Sequence, residues 1–222
     1  MHRILRVAAL LVTLTATLAL AAATGAATAH AAGGQVTALD MFRMLPATIF
    51  ENTAEGLTEE EKQQLADEGE TDFWAVIEST PEHFVVGALP LLDTRVSVRV
   101  FRADNGDTLA AMGVKNGEAC ALELWRRKAD GRLAPVAAPD EPGIAEFFAA
   151  GYKLPAGMSP SVMLCLGEDD LEARALLWTS TGLAQVKFDH KVLYRWNGSA
   201  FPRLCSPSTD SRASREAACG GK

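Results

Sequence analysis

The sequence predicts an α+β fold: an antiparallel sheet of two β-meander modules, short N-terminal helices, and a covering helix between the modules. Three observations carry this. Residues 95–136 and 161–204 each hold four apolar runs separated by three turn signals. The turns are Asp104-Asn105-Gly106, Asn116-Gly117 and Asp130-Gly131 in the first module, and Glu168-Asp169-Asp170, Ser180-Thr181-Gly182 and Asn197-Gly198 in the second. Ahead of the modules, Thr37 with Asp40 and Thr58 with Glu61 have the spacing of N-terminal capping boxes. Between the modules, Ile144, Phe147, Phe148 and Tyr152 recur near helical spacing behind Pro142-Gly143.

The chain opens with Arg3 and Arg6, an apolar run over residues 7–23, and the small-residue stretch Ala29-His30-Ala31. That order is the grammar of a cleaved secretory signal peptide, residues 1–31. The run falls short of the ~20 residues that span a bilayer and is diluted by Thr13, Thr15 and Thr17, so no membrane span is expected after cleavage. The Ala-rich cleavage region points to a bacterial periplasmic or secreted protein. Removing residues 1–31 takes away Arg3 and Arg6 but no acid, leaving 191 residues with 19 basic against 28 acidic groups, a formal charge of −9. Such a balance repels phosphate backbones and anionic lipid, which excludes a nucleic-acid partner. The length suits one α+β domain, residues 32–204, followed by a tail, residues 205–222.

In chain order, residues 35–46 form a helix with Thr37 as N-cap and Pro46 as terminator. A second helix starts at Thr58, places Glu59 and Glu60 at the positive end of its dipole, and stops at Gly69. Leu65 and Ala66 are its chief apolar residues, so it lies on the surface. Strands follow over residues 73–77 and 84–88, split by Ser79-Thr80-Pro81-Glu82. The modules come next. In the second, Asn197-Gly198-Ser199 spells a glycosylation acceptor, but Asn-Gly between apolar runs is also a hairpin signal requiring φ > 0 at both residues of a type I′ turn. Its match with the turn Asp130-Gly131 at the same place in the first module favours the hairpin. Each module's last strand contains a proline, Pro135 or Pro202, and Pro202 marks the final strand as an edge. The helix over residues 143–152 packs its aromatic stripe on a sheet, and the tail is too polar to order without Cys219.

The stretches "MFRMLPATIFENTAEGLTEEEKQQL", "TDFWAVIES" and "TRVSVRVFRADNGDTLAAMGVKNGEACALELWRR" resemble a family of secreted bacterial proteins of unknown function, with a Met-Pro-containing first helix and then a β-meander. The resemblance covers residues 38–136. It implies no catalytic residues.

Cys120, Cys165, Cys205 and Cys219 all follow the signal segment, where disulfides persist. Cys205–Cys219 is expected from their short separation, leaving Cys120–Cys165 by exclusion. No C-x-x-C occurs and only His83 and His190 remain after processing, so no metal site and no cofactor is expected. Asp104-Asn105-Gly106-Asp107 lacks the closing acid of a calcium loop. Asp189 and His190, as strand neighbours, point to opposite faces, which argues against a Ser-His-Asp triad. Arg126-Arg127-Lys128 reads as a solvated hairpin end. Alternation puts Glu123 and Trp125 on one face of their strand, and Tyr194 and Trp196 on one face of theirs. Together these four residues would make a ligand platform if solvated, or a core if covered. Two functions follow as expectations. One is a non-enzymatic binding or envelope-accessory protein with a protein or glycan partner in the cell envelope. The alternative is a cofactor-independent hydrolase of glycans or esters using carboxylates from Glu123, Glu172 and Asp189.

Overall fold

The structure, a computed structural model, describes residues 35–47 and 56–207. The expected signal segment and Cys219 lie outside the described residues, so the Cys205–Cys219 pairing does too.

Two helices come first, α1 (Ala38–Met44) and α2 (Glu59–Glu68). Both begin with the predicted boxes. Thr37 Oγ1 accepts the Asp40 amide at 3.1 Å and Asp40 Oδ2 accepts the Thr37 amide at 2.9 Å. Thr58 and Glu61 repeat the exchange. Gly69, at φ 87°, ends α2 in the left-handed region where a Cβ would be strained. Met41 and Phe42 of α1 and Leu65 of α2 are buried. Lys62 is buried beside them, with its ammonium donating to the Leu45 carbonyl and to Glu59 Oε2.

Six strands follow: β1 (Trp74–Ser79), β2 (His83–Ala88), β3 (Thr94–Arg102), β4 (Thr108–Asn116), β5 (Ala119–Arg127) and β6 (Leu133–Val136). They form one antiparallel sheet in chain order, so the early strand pair extends the first meander. Strand alternation divides this sheet into two apolar faces. Val96, Val98, Ala110 and Met112 join Trp74, Phe84 and the helices in one core. Phe101, Leu109, Ala111 and Leu124 point the other way, into a second core. β4 is buried from Thr108 through Val114, so both faces of the sheet are covered there.

The second meander supplies the other cover. It comprises β7 (Ser159–Leu166), β8 (Leu171–Thr179), β9 (Gly182–Leu183), β10 (His190–Tyr194) and β11 (Arg203–Pro207). Its order is β11-β10-β8-β7, with β9 paired to the far end of β8. Leu164, Leu171, Ala173, Leu177 and Val192 fill the second core. The modules therefore build two sheets with a shared core, where the sequence reading joined them into one. The doubly apolar β4 explains the difference: a single sheet would leave one of its faces wet. β11 is an edge, as Pro202 just before it predicts, and β6 is an edge as well.

The covering helix is present in part, shorter than the sequence predicts. Only Ile144–Phe147 coils, as a 3₁₀ turn. The Ala149 amide, which a continuing helix would point at Ala145, instead donates to Asp189 Oδ2 at 2.8 Å. Asp189 is available because the strand before it breaks. In the register that pairs Leu183 with Trp178, Ala173 would face Phe188; it faces Val192. The extra residues lift the chain off β8, and Phe188 packs against Phe147 and Phe148 at centroid distances of 5.7 and 5.3 Å. Tyr152 stacks on Phe148 at 3.7 Å on the solvent side.

The sheets are locked together at two places. Cys120 on β5 and Cys165 on β7 form a disulfide with Cα atoms 5.6 Å apart. Beside it β7 approaches β4 so closely that a Cβ on Gly113 would sit 2.6 Å from Leu166 Cβ. At another point the Trp196 indole donates to the Arg102 carbonyl at 2.7 Å, and the Asp104 amide donates to the Gly198 carbonyl at 2.9 Å.

Candidate functional site

Where β7 meets the first sheet, the disulfide and Leu166 form one wall of a groove of about 240 Å³. The register of the first sheet decides what faces it. Gly87, Arg95, Lys115 and Cys120 make one cross-strand row over β2 to β5. Val85, Ser97 and Gly113 make the next, and His83, Arg99 and Ala111 the one after. Residues directly opposite in a pair point to the same side, so these rows share the face turned to the second sheet. Arg174 and Glu168 reach the groove from β8 and the β7–β8 loop.

Its electrostatics are uneven. Arg95, Lys115 and Arg174 line the groove against Glu78 and Glu168. Glu78 is engaged: its Oε1 lies 3.1 Å from His83 Nδ1. Arg99, opposite His83, has a buried Nε without a hydrogen-bond partner and an Asp169 carboxylate at 3.8 Å. Ser97 shares the groove with His83, yet no hydrogen bond joins them among the described residues. None of this was visible in the sequence. Glu78 and His83 meet across a turn, and Arg95 meets Lys115 only once the register of β3 on β4 is known.

The residues singled out in the sequence lie elsewhere or apart. Glu123 Oε2 accepts the Trp125 indole hydrogen at 3.0 Å, and Trp125 packs on the core beneath the helices. Tyr194 and Trp196 belong to the core between the sheets. Tyr194 is 2% exposed and donates to the Asp140 carbonyl at 2.6 Å, and its burial raises the phenol pKa. Trp196 packs against Phe101 and Phe201. The structure thus does not bring Trp125, Tyr194 and Trp196 onto one face.

The carboxylates are separated as well. Glu123 sits on the helix side of the first sheet, while Glu172 alternates with the inward Leu171 and Ala173 and so lies on the outer side of the second. Asp189 is committed to the Ala149 amide. In the Asp104–Asp107 loop, Asn105 turns its oxygen to the Asp107 amide at 3.0 Å and its nitrogen to Asp107 Oδ2 at 3.1 Å, so the turn satisfies itself. Arg127, expected at a solvated hairpin end, is half-buried, with a buried Nε lacking a partner. Among the described residues, no cluster of three or more His, Cys, Asp or Glu is placed to hold a metal, and no helix is long and apolar enough to cross a membrane.

No family model, curated protein or solved structure matches the chain.

Proposed function

We propose that this chain is an exported, non-enzymatic binding or envelope-accessory protein, acting on a protein or glycan partner of the cell envelope. The observation that carries the reading is the groove. It is a concave site between two sheets, stiffened by a disulfide, with cations on its floor and no nucleophile bonded to a base. Export is supported by the Cys120–Cys165 disulfide, which persists in an oxidising compartment, together with the N-terminal Arg-then-apolar pattern.

One observation favours a second reading, a cofactor-independent hydrolase: the Glu78–His83 pair lies in the same groove as Ser97. That would move the chemistry away from Glu123. An activity screen against ester and glycan substrates, beside binding measurements with envelope glycans and proteins, separates the two. Turnover that His83→Ala abolishes while the fold is retained would replace the binding reading with the enzymatic one. Binding to a defined envelope component, with no turnover, is the expected result.

A further inference from the structure

We infer that the groove receives a small amphipathic anion, whose acidic group is shared by the cross-strand pair Arg95 and Lys115 and by Arg174, with its apolar part on Ile77, Val85 and Leu166. The inference rests on the binding reading above and names the ligand's chemical class.

The carrying observation is the row itself. Arg95 and Lys115 stand directly opposite each other on neighbouring strands, a like-charge juxtaposition that destabilises a sheet. The fold does little to compensate them. Arg95 Nε donates to the Leu92 carbonyl at 3.1 Å, and Lys115 and Arg174 have no hydrogen bond or ion pair among the described residues. Several cations elsewhere are paired: Arg43 holds Asp67 at 2.8 Å, Arg195 holds Asp170 at 3.0 Å, and Arg203 holds Glu146 at 3.1 Å. In a protein with 28 acids against 21 bases, carboxylates are not in short supply. The groove carries more cations than carboxylates even with His83 neutral, since three basic residues face Glu78 and Glu168.

The size and lining narrow the class further. About 240 Å³ suits a compact group, free or borne by a larger envelope partner. Ile77 is 42% exposed, yet lies over Gly87 and beside buried Val85, which gives an apolar surface next to the cations. An organic carboxylate, sulfonate or phosphate monoester meets both demands. A bare inorganic anion meets one. The disulfide fixes the wall before the ligand arrives, which limits the ordering cost of binding.

The test uses the full chain with 8-anilinonaphthalene-1-sulfonate and N-phenyl-1-naphthylamine, the same aromatic body without the sulfonate. Fluorescence titration is expected to show at least about tenfold tighter binding of the sulfonate, the effect of one charge-assisted contact. Hexanoate and hexyl phosphate should displace it, their order telling which headgroup fits, while sodium chloride at equal ionic strength should not.

Lys115→Gln with Arg174→Gln should weaken the sulfonate at least about tenfold. Lys128→Gln with Arg132→Gln, an equal charge change at the β5–β6 turn, should leave it unchanged. Lys115→Gln alone should raise the melting temperature of the free protein while lowering affinity, an outcome a merely structural lysine would not give. Equal binding of the neutral probe, equal loss in both double variants, or no displacement by either hexyl acid would overturn the inference. Each of these leaves the broader binding reading standing, because a protein or glycan partner could still be captured. Turnover lost with His83→Ala removes that reading instead.

Discussion

At residue scale, the Asn-Gly turns show how a correct hairpin arises from a different conformation than the spelling suggests. A type I′ turn would put both Asn197 and Gly198 at positive φ. Only Gly198 is there, at 95°. Asn197 pairs with Ala200 through its amide at 3.1 Å, so the two central residues are Gly198 and Ser199, with positive φ at the first alone, as in a type II′ turn. Asn116 and Gly117 repeat this: Asn116 opposes Ala119, and Gly117 has φ 57°. Asn197 therefore acts through its side-chain oxygen, which accepts the Ser199 and Ala200 amides at 3.1 and 2.9 Å and the Ser199 hydroxyl at 3.1 Å. Asn197→Ala is expected to cost about 1 kcal/mol by losing those bonds on an exposed turn. Gly198→Ala should cost more, about 2 kcal/mol or above, because it adds left-handed strain and sets a Cβ 2.4 Å from Asp104 Oδ1. Urea melts of both variants decide this ranking. A larger loss for Asn197→Ala would mean that the side-chain bonds, and not the glycine conformation, hold the turn.

At the scale of elements, what the sequence makes legible is chemistry that closes within a few residues. Both capping boxes, the Gly69 stop and the edge signal of Pro202 are of this kind; a hydroxyl and a carboxyl three residues apart, for instance, need no tertiary partner to find each other's amides. Thr58→Ala should accordingly cost about 1 kcal/mol, read by chemical denaturation. In the first box the acid half adds a pH dependence. Hydrogen bonds from the Thr37 amide and hydroxyl, helped by nearby Arg43 and Arg127, hold the Asp40 carboxyl below its ordinary pKa. A depressed folded-state pKa means the contribution is complete above the unfolded value of 3.8 and disappears as pH falls through and below it. Asp40→Asn should flatten the stability profile on that acid side and leave neutral pH nearly unchanged in slope, a difference that melts at stepped pH measure. Illegible elements are those whose amides are taken by distant partners. The aromatic spacing of residues 143–152 fits a helix, but it is met by Phe188 and Asp189 from the other side of the module, and neither is signalled locally. The groove is illegible for the same reason: Arg95 and Lys115 are each unremarkable surface cations until the ladder sets them opposite.

At the scale of the whole molecule, one sheet with two apolar faces ties the helical layer to the second meander, and the join between the sheets needs both close packing and a cross-link. Gly113 permits the approach of β7, and Cys120–Cys165 closes a loop of sequence separation 45 around it. In the chain-entropy model a loop of that length is worth about 4 kcal/mol, nearly all of it through the unfolded state. Cys120→Ala with Cys165→Ala tests this. The double variant should lose about 4 kcal/mol, and its urea m-value should rise, because the unlinked chain exposes more surface when it unfolds. A loss confined to the folded state would look different: the m-value would stay constant and the deficit would track the packing of the removed sulfurs in the groove wall. Reductant added to both the wild type and the double variant supplies the control, since it opens any bond of Cys205 in both and, in the wild type, removes the cross-link while keeping the cysteine side chains. If the reduced wild type and the double variant unfold at the same urea concentration, the cross-link itself holds β7 to β5. A reduced chain as stable as the oxidised one would assign that work to the Gly113–Leu166 contact and the shared core.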